Sequence, residues 1–279
     1  MFQTTSRCNA KCVFCPYPRT NELFRHGTMS NALFMKIINE CALNAPLIDA
    51  IIPYLMNEPL MDKNIIKKIE IIKEKIPGID LHILTNGMLL DKNLSDNLIA
   101  SPIDWVGISF FSLNKEKYEH AMGIPFEIAK VNVTNFVKKA LKKRNSEFVM
   151  ITFFKNDDID DEDIQQSLDY WKKLGVKRIM HYEKGISRAG NVPLIPSPVN
   201  KKMNKCDSIW TEEMIHILDD GSVILCCMDW ERKHILGNVN NMTIEEIWNS
   251  DSYKKIRAVI RGKAPIENAI CKYCEMANF

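Results

Sequence analysis

Between residues 48 and 181, apolar runs that read as strands alternate with stretches of helical periodicity, and this alternation leaves few folds open. The strand-like runs fall at 48–55, 79–84, 105–110, 148–154 and 177–181. Helical stretches at 65–76, 89–99, 126–143 and 161–174 separate them. Repeated βα units require a parallel sheet joined by right-handed crossovers. Residues 2–6 add a short strand ahead of these units, which makes six, too few for a closed eight-fold barrel. Ser30 reads as the N-cap of a further helix of about 13 residues, with Leu33, Phe34, Ile37 and Ile38 on one face. In parallel α/β architectures the strand C-termini and the loops after them carry the chemistry.

The nine cysteines form two groups and one outlier. Cys8, Cys12 and Cys15 lie near the start, Cys206, Cys226, Cys227, Cys271 and Cys274 near the end, and Cys41 sits among apolar neighbours on the first long helix, where it reads as core. That clustering is unlike a secreted disulfide framework, and without a signal peptide it points to metal in a reducing cytoplasm. No apolar run approaches the roughly 20 residues of a membrane span. A net charge of +2, from 37 basic and 35 acidic residues, gives no polyanion-binding signal and argues against nucleic acid. The lysine-rich stretch 138–144 shares its periodicity with Val133, Phe136, Val137 and Leu141, so it is the wet face of a helix.

Cys8 to Cys15 reads C-x3-C-x2-C, with Phe14 before the last cysteine. A closed structural zinc site takes four protein ligands. A [4Fe–4S] cube held by three thiolates leaves one iron open. This run resembles the signature of the radical S-adenosylmethionine (radical SAM) superfamily. The resemblance implies an α/β fold, a partial (β/α)6 TIM-like barrel, with the amino and carboxylate groups of SAM on the open iron. It also implies an electron donor of the reductase or flavodoxin type.

Further stretches extend the resemblance. Tyr54-Leu55-Met56-Asn57-Glu58-Pro59 is similar in place to the family's glycine-glycine-glutamate-proline motif, although both glycines are missing. The family's pattern implies that Tyr54, Asn57 and Glu58 meet the SAM amino group; the plain alternative is a helix start with Glu58 at its positive end. Thr85-Asn86-Gly87 resembles the turn beneath the cofactor and is equally a glycine turn that opens a helix. Ser109 corresponds to a ribose or carboxylate contact, with a solvent-side serine as the alternative. Tyr118 and Met122-Gly123 look like the loop after that strand. Arg188, in the turn Ser187-Arg188-Ala189-Gly190-Asn191, corresponds to an arginine facing SAM or substrate, or is a surface arginine. Its fixed fork suits carboxylates and polyols.

Pro193, Pro196 and Pro198 mark 192–204 as a linker between a barrel at 1–191 and a small α+β domain at 205–279. In that second domain 215–218 and 223–227 read as a hairpin about Asp219-Asp220-Gly221, and 243–260 as one helix with Thr243 and Glu246 as its capping box. Cys206, Cys226, Cys271 and Cys274 would saturate either one structural zinc or one [4Fe–4S] cube. Their spacing, with Gly237-Asn238-Val239 and Ile247-Trp248, resembles the auxiliary-cluster extension known as SPASM, or Twitch in its single-cluster form. The resemblance favours iron–sulfur. Cys227 is left over as a small buried residue, a substitute ligand or a thiol facing the cavity.

The resemblance therefore implies a cytoplasmic enzyme with two [4Fe–4S] clusters and SAM. The first cluster splits SAM to a 5′-deoxyadenosyl radical that takes a substrate hydrogen, and the auxiliary cluster accepts the next electron. A small polar substrate of the sugar or cyclitol alcohol type is expected, because no leader-peptide-binding domain precedes Cys8. Peptide modification by thioether, oxidation or crosslink is the alternative, and a radical epimerase with Cys227 as hydrogen donor is another. A non-catalytic zinc-binding interaction protein is the alternative from a different class.

Overall fold

A computed structural model describes the chain apart from residues 157, 184, 200–204, 209–211, 266–269 and 279. After the cysteine loop come a short turn of helix, α1 (Tyr17–Thr20), and α2 (Asn31–Leu43), whose Ser30 hydroxyl accepts from Leu33 N–H at 3.1 Å. The βα alternation then follows as β1 (Ala50–Ile51), α3 (Ile65–Lys75), β2 (Asp80–Thr85), α4 (Lys92–Ala100), β3 (Trp105–Ser109), α5 (Lys115–Met122), α6 (Phe126–Lys143), β4 (Val149–Phe154), α7 (Asp161–Lys173) and β5 (Arg178–Tyr182). The five strands are parallel, in the order β1-β2-β3-β4-β5. One face of the sheet buries Leu81, Ile83, Val106, Ile108, Val149 and Ile151 with the helices.

Side chains alternate across a strand, so the opposite face lines the barrel interior. Its floor is a stack in which Trp105 lies 3.9 Å from the His82 ring and the Arg178 guanidinium 4.3 Å over Trp105. One layer higher, Gly107 pairs with Leu84 and Met150, and a Cβ there would stand 2.9 Å from Leu84 Cγ. At the strand C-termini the Ser109 and Thr152 hydroxyls meet at 3.3 Å. The interior is thus closed below by packing and polar at its mouth.

Three expectations are corrected. Residues 2–6 do not form a sixth strand of the sheet; Phe2 and Thr5 make isolated bridges to Ile217 and Thr28. Phe2 N–H reaches Ile52 O at 3.0 Å and Gln3 N–H reaches Ile217 O at 3.0 Å, so the segment staples β1 to the C-terminal hairpin. The stretch after β3 is a helix, α5, because Asn114 Oδ1 caps Lys117 N–H at 3.1 Å and Gly123 closes it at φ 62°. The single helix expected over 243–260 is two.

In the C-terminal part, β6 (Lys205–Cys206) is followed by an antiparallel sheet of β7 (His216–Ile217), β8 (Ser222–Ile224) and β9 (Ile235–Asn238), with Gly221 at φ 86° in the first turn. Helices α8 (Ile244–Trp248) and α9 (Asp251–Ile260) come next, and β10 (Ala277–Asn278) returns to pair with β6. Thr243 and Glu246 do form a capping box, but the Ser250 hydroxyl accepts from Tyr253 N–H at 3.3 Å and starts a second helix. Helix α2 holds this part in place. Its Lys36 ammonium donates to Met242 O at 2.7 Å, and its Glu40 carboxylate accepts from Ile244 N–H at 2.6 Å, where the N-terminus of α8 favours negative charge. The end of the expected linker, 200–204, lies outside the described residues.

Candidate active site

The cysteine loop is shaped by the end of α5. A helix leaves its last carbonyls without partners. Here Val13 N–H donates to Ala121 O at 3.1 Å and Lys11 N–H to Met122 O at 3.2 Å. Gly123 allows this approach, since a Cβ on it would lie 2.8 Å from Lys11 Cβ and 2.9 Å from Lys11 O. The Tyr17 hydroxyl accepts from Cys8 N–H at 2.9 Å, and the Cys15 sulfur from Tyr17 N–H at 3.5 Å. Cys8, Cys12 and Cys15 thus share one loop against the barrel mouth.

Beside that loop lies Glu58, only 2% exposed. Its Oε1 accepts from Thr85 Oγ1 at 2.6 Å and Leu60 N–H at 3.0 Å, and its Oε2 from Asn86 N–H at 2.8 Å. Burial pushes the carboxyl up to about 7, while the bonds from Thr85, Asn86 and Leu60 pull it down. Asn86 Nδ2 donates to Asn9 Oδ1, inside the cysteine loop, at 2.8 Å. The Asn57 Oδ1 accepts from Leu55 N–H at 2.9 Å, whereas its buried Nδ2 has no partner.

Phe14 extends from the loop to the end of β4, its ring 5.0 Å from that of Phe154. Ser109 lies at the end of β3, half-buried. Tyr54, after β1, has its hydroxyl raised by burial and by the Cys227 thiol, against the Arg188 guanidinium. Arg188 also acts on Cys15 and on Cys227, lowering thiols that burial raises. It therefore stands within electrostatic reach of both cysteine groups. Arg188 (φ 54°), Ala189 (φ 56°) and Gly190 (φ 81°) are three successive left-handed residues, a strained turn of the kind found at functional sites. The turn is held by Val192 N–H to Ser187 O at 2.8 Å, by Asn191 Nδ2 to Arg188 O at 2.9 Å, and by a bond from Ser187 N–H to the Glu275 carboxylate.

The second cysteine group assembles from three places: Cys206 on β6, Cys226 after β8, and Cys271 and Cys274 on a 3₁₀ turn at 270–273 and just past it. Burial pushes Cys271 up to about 12, and Cys274 and Cys206 act in the same direction. Burial likewise raises Cys226, with Cys227, Cys271 and Cys274 adding to it. Cys227 is half-buried and feels Arg188 and Cys206. Cys41 is half-buried against the core. In the first group Cys8 is pushed to about 12 by burial, and Cys12 well upward by burial and its two companions.

Such thiols lose their protons when a cation binds them, and iron–sulfur chemistry supplies that charge. Three thiols in the N-terminal loop and four in the C-terminal part suit an open and a saturated cube respectively. Among the described residues, no three His, Cys, Asp or Glu side chains are gathered tightly enough for a single metal ion, whose thiolates would all sit within about 2.3 Å of one point. The sequence does not mark Asn9, Glu275 or Met228 as site residues; Met228 N–H donates to the Cys226 sulfur at 3.4 Å, and its own sulfur lies 4.0 Å from Arg188 Nη1. The adjacency of Asn9, Met228 and Glu275 to the cysteines was the available signal.

Residues 2–182 match the radical SAM superfamily, and residues 206–275 match SPASM, an iron–sulfur cluster-binding domain. The chain belongs to the radical SAM superfamily and carries a SPASM domain at its C-terminal end; SAM and iron–sulfur clusters are its cofactors. It is 26% identical over 253 residues to a probable GTP 3′,8-cyclase of Methanococcus vannielii, covering 88% of this chain and 75% of that one. With the S-adenosyl-L-methionine-dependent 2-deoxy-scyllo-inosamine dehydrogenase of Niallia circulans it shares 21% identity over 272 residues, 98% of this chain and 90% of the relative. The solved structure of anSMEcpe with bound AdoMet and Cp18Cys peptide superposes with a TM-score of 0.67 at 17% identity, covering 98% of this chain and 85% of that one. Among the described residues no helix is long and apolar enough to cross a membrane.

Proposed function

We propose that this chain is a radical SAM oxidoreductase acting on a small polar alcohol of the sugar or cyclitol type. Cys8, Cys12 and Cys15 would hold the first cluster, which would supply one electron for the reductive cleavage of SAM, and Cys206, Cys226, Cys271 and Cys274 would hold the second, which would take one electron back. The balance would close with one hydrogen atom passing from the substrate carbon to the 5′ carbon of the deoxyadenosyl group, the hydroxyl proton released, and the remaining electron passed on as the carbon–oxygen double bond forms. Phe14, Tyr54, Asn57, Ser109 and Arg188 line the SAM and substrate side of this site, with Thr85 and Asn86 beneath. Holding the target C–H at near-attack distance and excluding water keep the radical from being quenched.

The observation that carries this reading is the place of Arg188, whose Nη1 reaches the Met228 sulfur at 4.0 Å, next in the chain to Cys227, while its charge lowers both Cys15 and Cys227. A substrate gripped there lies between electron source and electron sink. Similarity to the inosamine dehydrogenase supports the reaction type. A physiological donor of the flavodoxin or reductase type completes the cycle.

Two observations favour second readings. The likeness to anSMEcpe with bound peptide favours a peptide substrate. Cys227, surplus to a four-thiolate set, favours epimerisation by hydrogen return. One experiment separates oxidation from epimerisation, and turnover of a cysteine- or serine-containing peptide with none of the cyclitol panel would favour the peptide reading. Cys226→Ala and Cys271→Ala should still form 5′-deoxyadenosine when offered a panel of cyclitols and amino sugars, but lose oxidised product by about 100-fold or more. Cys227→Ala should keep oxidation. Loss of turnover in Cys227→Ala, with both clusters intact, would instead make the chain an epimerase.

A further inference from the structure

Glu58 occupies the place of the family's SAM-contacting glutamate, yet its surroundings describe another task. Both carboxylate oxygens are already engaged by protein donors: Thr85 Oγ1 at 2.6 Å, Asn86 N–H at 2.8 Å and Leu60 N–H at 3.0 Å. Its own N–H donates to Arg7 O, next to Cys8, at 2.9 Å. The side chain is buried.

We infer that Glu58 is a positioning residue that holds the C-x3-C-x2-C loop in register through the Asn86 turn, rather than a ligand of the SAM amino group. This rests on the proposal that Cys8, Cys12 and Cys15 carry the first cluster. The path is short. Glu58 fixes the backbone of Asn86, and Asn86 Oδ1 accepts from Met88 N–H at 3.0 Å, which fixes the Asn86 side chain. The Asn86 Nδ2 then donates to Asn9 Oδ1 at 2.8 Å, one residue past Cys8. Gly87 (φ 73°) keeps the turn tight, since a Cβ there would run into Val133 Cγ2. Asn132 Nδ2 pins the far side by donating to Met88 O at 2.7 Å. Asn9 Nδ2 reaches the Met88 sulfur at 3.4 Å, so loop and turn are joined twice.

The geometry makes glutamine a discriminating replacement. With its carbonyl toward Thr85 and Leu60, the amide NH₂ faces the Asn86 N–H. Turned over, it faces the Leu60 N–H. Either way a buried donor meets a donor, and a buried backbone N–H loses its partner. A SAM ligand would respond differently, because glutamine can still accept a bond from an ammonium through its carbonyl.

The test is anaerobic iron–sulfide reconstitution of the full chain without SAM, followed by iron counting and electron paramagnetic resonance, with SAM added afterwards. Wild type should hold about eight irons per chain and show a first-cluster signal that SAM perturbs. Glu58→Gln should keep about four irons in the auxiliary site and lose the SAM-sensitive signal about tenfold. Asn9→Ala cuts only the last link and should lower the same signal while Glu58 keeps its partners. If Glu58→Gln loses auxiliary iron too, Asn9→Ala decides: a reduced first-cluster signal sustains the inference, and a full signal overturns it. Glu58→Gln with both clusters full and only weaker SAM binding also overturns it. Wild type lacking any SAM-sensitive cluster would instead defeat the underlying cluster assignment.

Discussion

Gly123→Ala should abolish the first cluster while leaving the auxiliary one in place. A left-handed alanine costs about 1–2 kcal/mol before any contact is considered. The new methyl group would stand 2.9 Å from Lys11 O and 3.0 Å from Lys11 C, atoms of a backbone that cannot swing aside as a flexible side chain would. Relief requires the loop to withdraw, which breaks Lys11 N–H to Met122 O and Val13 N–H to Ala121 O. Three thiolates must then close on one cube from a displaced loop. The expected result is about four irons instead of eight, with 5′-deoxyadenosine formation down by about 100-fold or more. A variant with full iron and normal cleavage would show that the α5 terminus does not shape the loop.

The largest effect on stability should come from Asp62. Its carboxylate meets the Lys68 ammonium at 2.6 Å, with side chains 1% and 3% exposed. Asp62 Oδ1 also accepts from Asn64 N–H at 2.9 Å as the chain enters α3. Lys68 lies against the Phe34 ring, 5.5 Å from its centroid, so no water can replace the lost partner at low cost. Asp62→Ala strands a buried cation, a change worth about 3–5 kcal/mol, which in a chain of this size lowers the melting midpoint by about 10 °C. Asp62→Leu combined with Lys68→Met should recover most of that loss, because a buried ion pair and a matched apolar pair are nearly equivalent. Circular dichroism melts of the three proteins check both statements. An unshifted midpoint in Asp62→Ala would mean that Lys68 reaches solvent.

What could be read from the residues was what short-range physics decides. The helix expected over 126–143 is α6 without an end residue changed, because its apolar stripe and flanking charges act locally. Ser30 and the Thr243–Glu246 pair capped as their chemistry requires. Residues 2–6 have strand character, but their partner at Ile217 lies over 200 positions away, and pairing at that range leaves no local mark. The break between α8 and α9 was visible only as Ser250, a residue equally at home on a helix surface.

The site divides in the same way. The cysteine groups are written in spacing, since ligands from one loop must be close in sequence. Arg188 drew notice through its glycine-containing turn. Glu58 stood out by resemblance, yet its partners Thr85, Asn86 and Leu60 come from a second strand end and from its own following turn. Only the fold brings them to one carboxylate. A motif names the residue type at a position, and the hydrogen-bond inventory around it decides what that residue can still bind.

The central claim is that this chain holds two independent clusters, the first of which cleaves SAM. The direct measurement is anaerobic reconstitution of wild type and of the Cys8/Cys12/Cys15→Ala triple variant, followed by SAM cleavage under strong reductant. Wild type should hold two cubane clusters, the variant one, and 5′-deoxyadenosine should form in wild type alone. A variant that loses all iron would contradict an independent auxiliary site and remove the electron acceptor from the proposed oxidation. Zinc in both sites of wild type, with no iron–sulfur absorbance, would contradict the account as a whole.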